Sequence, residues 1–231
     1  MIVRQFLHWV STAPASERAD ATSALARAYL HSDLSPDDLA AAEGAMLMLL
    51  DDPSPLVRRA LAEALATSER MPPAILHSLA ADQPEVAALV LARSPLFLDA
   101  DLVDAAAWGV PSLQVAIAKR PHLPCSVSAA IAEIGCAEAC LELLENRGVE
   151  IVQFSLDRIV ERHGHLSAIR NVLFERGDLP ASTRQALVAK LSATLAAFVT
   201  GRDWLAEERA RNVAKDACEK ATLHFSFTGS P

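Results

Sequence analysis

Glycine is scarce in this 231-residue chain, which contains 8 of them. The most closely spaced pairs are Gly135 with Gly148 and Gly164 with Gly177, each separated by more than ten residues. Phosphate-binding loops and the dinucleotide-binding fingerprint need glycines within about six residues of one another. The sequence therefore excludes glycine-rich nucleotide-binding loops.

Aromatic residues and long apolar runs are scarce as well. Aromatics make up 5% of a chain that is 52% apolar, so the core must consist mainly of Ala, Leu and Val. No apolar run approaches the length of about 18 residues that a transmembrane helix requires. The apolar stretch within residues 1–16 is also too short for a secretory signal. We therefore expect a cytoplasmic protein without a membrane partner.

Basic residues are outnumbered by acidic ones. Lys and Arg number 21 against 29 for Asp and Glu, which gives a formal net charge of −8. Nucleic-acid binding requires clustered cations to neutralise phosphates, and attraction to an anionic membrane surface requires the same. The charge therefore predicts that neither nucleic acid nor membrane is a partner.

Recognisable catalytic and metal-binding motifs are missing. The chain has no G-x-S-x-G, H-E-x-x-H or G-K-[S/T] sequence. Cys136 and Cys140 lie four residues apart and are followed by His163 and His165, but this is not a known spacing of zinc ligands. We therefore predict no catalytic, cofactor-binding or metal-ligating residue, and we interpret the cysteines as small buried hydrophobes.

Prolines mark the predicted starts of helices. Nearly every segment has helical periodicity, and Ser35-Pro36 and Ser54-Pro55 each place an N-cap serine before a first-turn proline. Acidic clusters such as Asp37-Asp38 also fall at helix starts, where carboxylates cap amides and oppose the helix dipole. The pattern predicts an all-α protein, in which residues 223–227 are the one candidate for an extended segment.

The helix boundaries recur at intervals of 26 to 29 residues. Residues 86–95 match residues 112–121 at an offset of 26, and the motif Arg-x-x-Leu-Pro at 120–124 returns at 176–180. Helices of about 8 to 12 residues are unstable alone, so their apolar faces must be covered by neighbouring units. The period therefore predicts an α-solenoid of stacked short helical hairpins.

The ends of the chain differ from its middle. We expect N-terminal capping helices in residues 1–45, short repeats in residues 46–180, and C-terminal helices and a tail in residues 181–231, all within one domain of residues 1–231. Longer and more charged helices at both ends are typical of the capping units of a repeat array.

Two segments resemble known families. Residues 52–62, which read DPSPLVRRALA, resemble the second helix of a HEAT-type repeat. Residues 91–121 are similar to a bacterial family of domains of unknown function, number 2336, and the resemblance covers roughly residues 45–180. It implies a HEAT-like α-solenoid with no assigned activity, so no catalytic residue can be carried over from it.

Basic pairs and one tryptophan are the candidates for binding a partner. Trp108 precedes Gly109 in a predicted turn between helices, and an exposed indole is a preferred anchor in protein interfaces. Arg58 is assigned a structural role instead, bonded to an acid or a helix end of the adjoining unit. The predicted partner-binding residues are Arg59, Trp108, Lys119 and Arg120.

The last predicted helix, residues 202–221, is strongly charged and has a seam of small residues that includes Ala210, Ala214 and Ala217. Its pairs Glu207/Arg211 and Asp216/Lys220 have the favourable four-residue spacing. The seam predicts close packing against the preceding helix or against another chain, and the second option would make a homo-oligomer.

These observations favour a non-enzymatic interaction or scaffold module that binds an unknown protein or peptide along the second helices of its repeats. Two alternatives stay open. One is a regulatory sensor of a small molecule, and the other is an enzyme or nucleic-acid-binding protein on a HEAT-like scaffold.

Overall fold

The computed structural model of the chain describes residue 9 and residues 12–227, with side chains to residue 219. Across these residues all regular secondary structure is helical, which confirms the all-α prediction. Residues 223–227, the candidate extended segment, are helical as well. The chain forms two compact units, residues 1–120 and residues 121–231, and its organisation as one domain stays a prediction.

From residue 15 onward, the first unit has two longer helices of 17 and 14 residues, followed by helices of 8 to 11 residues. The longer pair starts in residues 1–45, the segment predicted to cap the N-terminal end, and its second helix runs on to Leu49. The helices are α1 (Ala15–His31), α2 (Pro36–Leu49), α3 (Pro55–Leu65), α4 (Pro73–Ala80), α5 (Pro84–Arg93), α6 (Asp99–Ala107) and α7 (Pro111–Ala118).

The second unit begins with four helices of 9 to 11 residues and ends with two of 20 and 21 residues. The first of the long helices stops at Gly201, as the sequence predicts. The helices are α8 (Cys125–Ile134), α9 (Ala137–Glu145), α10 (Gln153–His163), α11 (Ser167–Glu175), α12 (Ala181–Thr200) and α13 (Glu207–Phe227).

Proline opens five helices of the first unit, α2, α3, α4, α5 and α7. Proline is well placed there because its missing N–H would lack an intrahelical partner in any case. Ser35 caps α2, since its hydroxyl accepts a hydrogen bond from the Asp38 N–H at 3.2 Å. Before α3, the carboxylate of Asp52 accepts from the Ser54 N–H at 2.8 Å instead.

Alternate helices pack side by side in each unit. In the first unit α1 packs on α3, α3 on α5, and α5 on α7; we call these four helices row A. In the second unit α8 packs on α10 and α10 on α12, while α9 packs on α11. Ala, Leu, Ile and Val dominate the buried side chains, as the shortage of aromatics predicts.

Arg120 connects the ends of two neighbouring helices of row A. It follows α7, and its guanidinium donates from Nη1 to the Leu91 carbonyl at 2.6 Å and from Nη2 to the Ser94 carbonyl at 2.8 Å. Both carbonyls lie at the end of α5, where the last carbonyls of a helix lack intrahelical partners. The end of α7 therefore lies beside the end of α5, which makes the two helices parallel.

The same contact recurs in the second unit. Arg162, near the end of α10, donates to the carbonyls of Ala132 and Gly135 at the end of α8, each at 2.8 Å. We call this two-carbonyl contact, made by Arg120 and by Arg162, the arginine clamp. It spans 26 to 30 residues in both places.

A chain of ion pairs joins the starts of the first three helices of row A. The Arg18 guanidinium pairs with Asp52 through two hydrogen bonds of 2.8 Å, and Arg58 pairs with Asp82 at 2.5 and 2.9 Å. Arg58 also donates to the backbone carbonyl of Asp52 at 2.6 Å. The prediction of a structural role for Arg58 is confirmed.

Gly148 lies where any side chain would collide with the backbone of the same unit. A Cβ at this position would overlap the carbonyl oxygen of Pro121, whereas a Cβ at Gly177 would meet nothing within 4 Å. We expect Gly148→Ala to lower the free energy of unfolding by about 1 to 2 kcal/mol, because the loop backbone must shift. Urea denaturation followed by circular dichroism measures this.

Gly177→Ala is the matched control, and we expect it to change the free energy of unfolding by less than about 0.5 kcal/mol. Equal unfolding midpoints for the two variants would contradict the placement of Gly148 against Pro121.

Candidate functional site

One face of row A combines exposed cations with half-buried apolar side chains. Residues three or four positions apart on α3, α5 and α7 are exposed or half-buried and so share one face, whereas most of the other positions of these helices are buried. Leu89 on α5 and Val115 on α7 are half-buried there. We call this surface the row A face; it consists of Leu56, Arg59, Glu63, Glu85, Leu89, Ala92, Ser112, Val115 and Lys119.

Two of the predicted partner-binding residues, Arg59 and Lys119, lie on the row A face. The Arg59 side chain is 53% exposed and pairs with Glu63 at 2.9 Å along α3. An exposed pair of this kind contributes little, so a partner can displace it. Lys119 is exposed at the end of α7. Because α5 lies between α3 and α7, the two cations are roughly 16 to 20 Å apart at ordinary helix spacing.

Trp108 lies in the turn that leads from α6 into α7. It ends α6, and the next residue, Gly109, has a φ of +74°, a left-handed conformation that favours glycine and turns the chain into α7. The residue is 53% exposed, so the neighbouring helices cover only about half of it. The structure therefore leaves Trp108 accessible to a partner.

Arg120 lies inside the first unit. Only 9% of the residue is exposed, and its two Nη groups donate to the Leu91 and Ser94 carbonyls of the arginine clamp. Burial lowers the pKa of its guanidinium from the ordinary value. The four predicted residues thus do not form one cluster, and we leave Arg120 out of the row A face.

Cys140 is buried, as predicted for the cysteines, whereas Cys125 is exposed and the prediction is wrong for it. Cys136 and Cys140 lack the properties of reactive thiols. Burial raises the pKa of Cys140 to about 11. Burial also raises the pKa of Cys136, whose Sγ accepts a hydrogen bond from the Ala139 N–H at the start of α9. A thiol must be deprotonated to act as a nucleophile or a metal ligand. In the described part of the chain, no group of three or more His, Cys, Asp or Glu side chains is arranged to hold a metal ion.

A cleft of about 410 Å³ between the ends of α9 and α11 was not predicted from the sequence. Arg176 on its wall pairs with Asp178 and donates to the Leu144 carbonyl at 3.0 Å. These bonds occupy the guanidinium of Arg176, whereas Arg147, which also lines the cleft, is exposed. The return of Arg-x-x-Leu-Pro at residues 176–180 was the sequence signal for this arginine contact.

The last two helices form an antiparallel pair, and Ala210 of the small-residue seam is 4% exposed where α13 packs on α12. Of the two options for this seam, the structure supports packing on the preceding helix. The predicted pair Glu207/Arg211 is present, whereas the side chain of Lys220 lies outside the described residues. A second apolar surface of this hairpin, which includes Leu195 and Val213, stays exposed and was not predicted.

Comparison with known proteins identifies a family but no relative of known activity. The family model described as "Uncharacterised protein conserved in bacteria (DUF2336)" matches residues 86–226. The match begins later than the resemblance seen in the sequence and extends through α12 and α13. No curated protein and no solved structure matched the chain. None of the described helices is both long and apolar enough to cross a membrane. Since the family model covers more than half of its residues, the chain belongs to the bacterial DUF2336 family.

Proposed function

We propose that each unit is a short HEAT-like α-solenoid and that the chain is a non-enzymatic interaction module, which binds a protein or peptide on the row A face. The recurrence of the arginine clamp at the predicted repeat length supports the solenoid. Parallel helices stacked in register present their outward positions as one continuous surface. Such a surface matches an extended peptide or a helix of a partner protein.

The observation that carries this proposal is the composition of the row A face. Leu89 and Val115 form a half-buried apolar strip in its centre, and Arg59 and Lys119 stand at its two sides. Trp108 is exposed in the turn that leads into α7. An apolar centre with a polar rim is the usual anatomy of a protein interface. The chemistry favours a partner segment with apolar side chains and flanking carboxylates.

Site-specific photo-crosslinking in native cells tests the proposal. A photoreactive phenylalanine analogue replaces Leu89 in one variant and Trp108 in another. In the control variant it replaces His77, which is exposed on α4, outside row A. We expect discrete adducts of the same partner from the first two variants and none from the control, because only the row A face is covered in the complex.

Adducts of equal yield at His77, or the absence of adducts at Leu89 and Trp108, would contradict the proposal. A second arm adds Lys119→Glu to the Leu89 variant. Reversal of a rim charge that faces carboxylates weakens association by about tenfold, so we expect the adduct to decrease accordingly. An unchanged yield would exclude an acidic partner segment.

A further inference from the structure

The outer half of the C-terminal hairpin has an apolar surface that the described residues of its own unit leave uncovered. On α12 no charged residue occurs from position 191 to 200, yet Leu195 is 55% exposed. Phe198 is 50% exposed, and the Arg202 guanidinium lies over its ring. On α13 Val213 is 58% exposed. Exposed helices in water normally carry charges on their outer face, so this surface is built to be covered.

A groove runs between the two helices on this side. Its volume is about 140 Å³, and small and apolar side chains form nearly all of its walls. We call the surface around it the hairpin face; the residues that line the groove are Ser192, Leu195, Ala196, Val199, Leu205, Ala210, Val213, Ala214 and Ala217. Small residues on α13 allow another helix to approach its backbone closely.

The charges beside the groove are arranged symmetrically about Val213. Arg209 precedes Val213 by four residues and Asp216 follows it by three, so they lie about 6 Å before and about 4.5 Å after it along the helix axis. Both are exposed, and at 3.6 residues per turn both project on the same side of Val213. Consider a two-fold axis that runs perpendicular to α13 at the level of Val213. It places Arg209 of one copy and Asp216 of the other within about 1.5 Å of the same position along the helix axis.

We propose that the hairpin face binds a second copy of this chain. In the resulting two-fold dimer, α13 of each copy packs antiparallel to α13 of the other, and the two Val213 side chains, each at the wall of its own groove, meet at the two-fold axis. Arg209 then lies opposite Asp216 of the second copy, and the symmetry produces this ion pair twice. The four helices form an intermolecular bundle. This interface is independent of the row A face.

Self-association of the full-length chain tests the proposal. We expect sedimentation velocity to show a concentration-dependent monomer–dimer equilibrium between about 1 and 100 µM. Val213→Glu should abolish the dimer, because it places a carboxylate in the apolar groove of each copy. Val152→Glu is the matched control: Val152 is 41% exposed in the same unit outside the hairpin, and its replacement should leave the dimer unchanged.

A charge swap distinguishes pairing across the dimer from a change in the hairpin itself. Arg209→Asp alone or Asp216→Arg alone places like charges opposite each other twice, and each should weaken the dimer by about tenfold. The double variant restores opposite charges, and it should return the dissociation constant to within about threefold of the original value.

A chain that stays monomeric throughout this range overturns the proposal, as does a dimer that Val213→Glu leaves intact or a double variant that recovers no affinity. A monomer that sediments with vesicles of neutral phospholipid would assign the hairpin face to a lipid surface instead. The two proposals fail in different experiments. A chain that dimerises but gives no crosslinks on the row A face would contradict the proposed function alone, and a monomeric chain that gives these crosslinks would contradict the dimer alone.

Discussion

Replacing Arg120 with methionine is expected to lower the free energy of unfolding by about 3 kcal/mol. Methionine keeps most of the apolar stem but removes both donors, so the Leu91 and Ser94 carbonyls lose their partners in a buried site. Hydrogen bonds from a charged donor each contribute about 1.5 to 3 kcal/mol, and a buried carbonyl left without a donor adds its desolvation cost. Urea denaturation measures the total.

Hydrogen exchange locates this effect. Peptides from α5 and α7 should exchange faster in Arg120→Met, because the clamp joins the ends of these two helices. Arg93→Met is the matched control, since Arg93 is exposed one residue before Ser94. This replacement should lower the free energy of unfolding by less than about 0.5 kcal/mol. If both variants lower the free energy of unfolding equally, the loss of a positive charge, and not the loss of the clamp, causes the destabilisation.

Asp52→Asn is expected to lower the free energy of unfolding by about 2 kcal/mol at pH 7. The Asp52 carboxylate, which is 5% exposed, accepts two hydrogen bonds from Arg18 and one from the Ser54 N–H. Removing one member of a buried ion pair is strongly destabilising, but asparagine keeps one acceptor oxygen and so retains part of the bonding. Asp51→Asn changes the adjacent exposed carboxylate and is the matched control.

The pH dependence of this difference has a defined sign. Burial by itself raises the pKa of Asp52, but the hydrogen bonds from Arg18 and Ser54 outweigh it, and the pKa lies below the ordinary value of 3.8. The ionised group therefore contributes its full stability above about pH 4, and this contribution is lost as the pH falls through the lower folded-state pKa. The difference in unfolding free energy between the original chain and Asp52→Asn should therefore decrease as the pH falls below about 4. A gap that stays constant down to pH 2 would contradict this account.

The helical framework is predictable because its signals are local. A proline in the first turn lacks a donor that the helix does not need, so Pro36, Pro55 and Pro111 mark helix starts whatever surrounds them. The structural role of Arg58 is predictable for a similar reason, since aspartates stand at the starts of the adjoining helices.

The different environments of Lys119 and Arg120 could not be predicted. The two residues are adjacent cations, yet one is exposed and the other is buried. The acceptors of Arg120 are backbone carbonyls, which every residue has, so no side chain in the sequence identifies them. The hairpin face escaped prediction because the uncharged half of α12 has the composition of a core helix, and only the tertiary packing leaves Leu195 and Phe198 exposed.

The choice of backbone acceptors in the arginine clamp also bears on how this chain tolerates mutation. Replacing the side chain at Leu91, Ser94 or Ala132 leaves the carbonyl in place, so the contact survives if the helix end keeps its position. Gly135 is the exception, because a Cβ there would overlap the carbonyl oxygen of Ile131. An ion pair such as Arg58–Asp82 is lost when either residue changes. Apart from Gly135, single substitutions at the acceptor positions therefore leave the clamp intact, and it is broken through Arg120 or Arg162. The spacing between neighbouring helices therefore depends mainly on the arginine, whereas a side-chain pair depends on both of its residues.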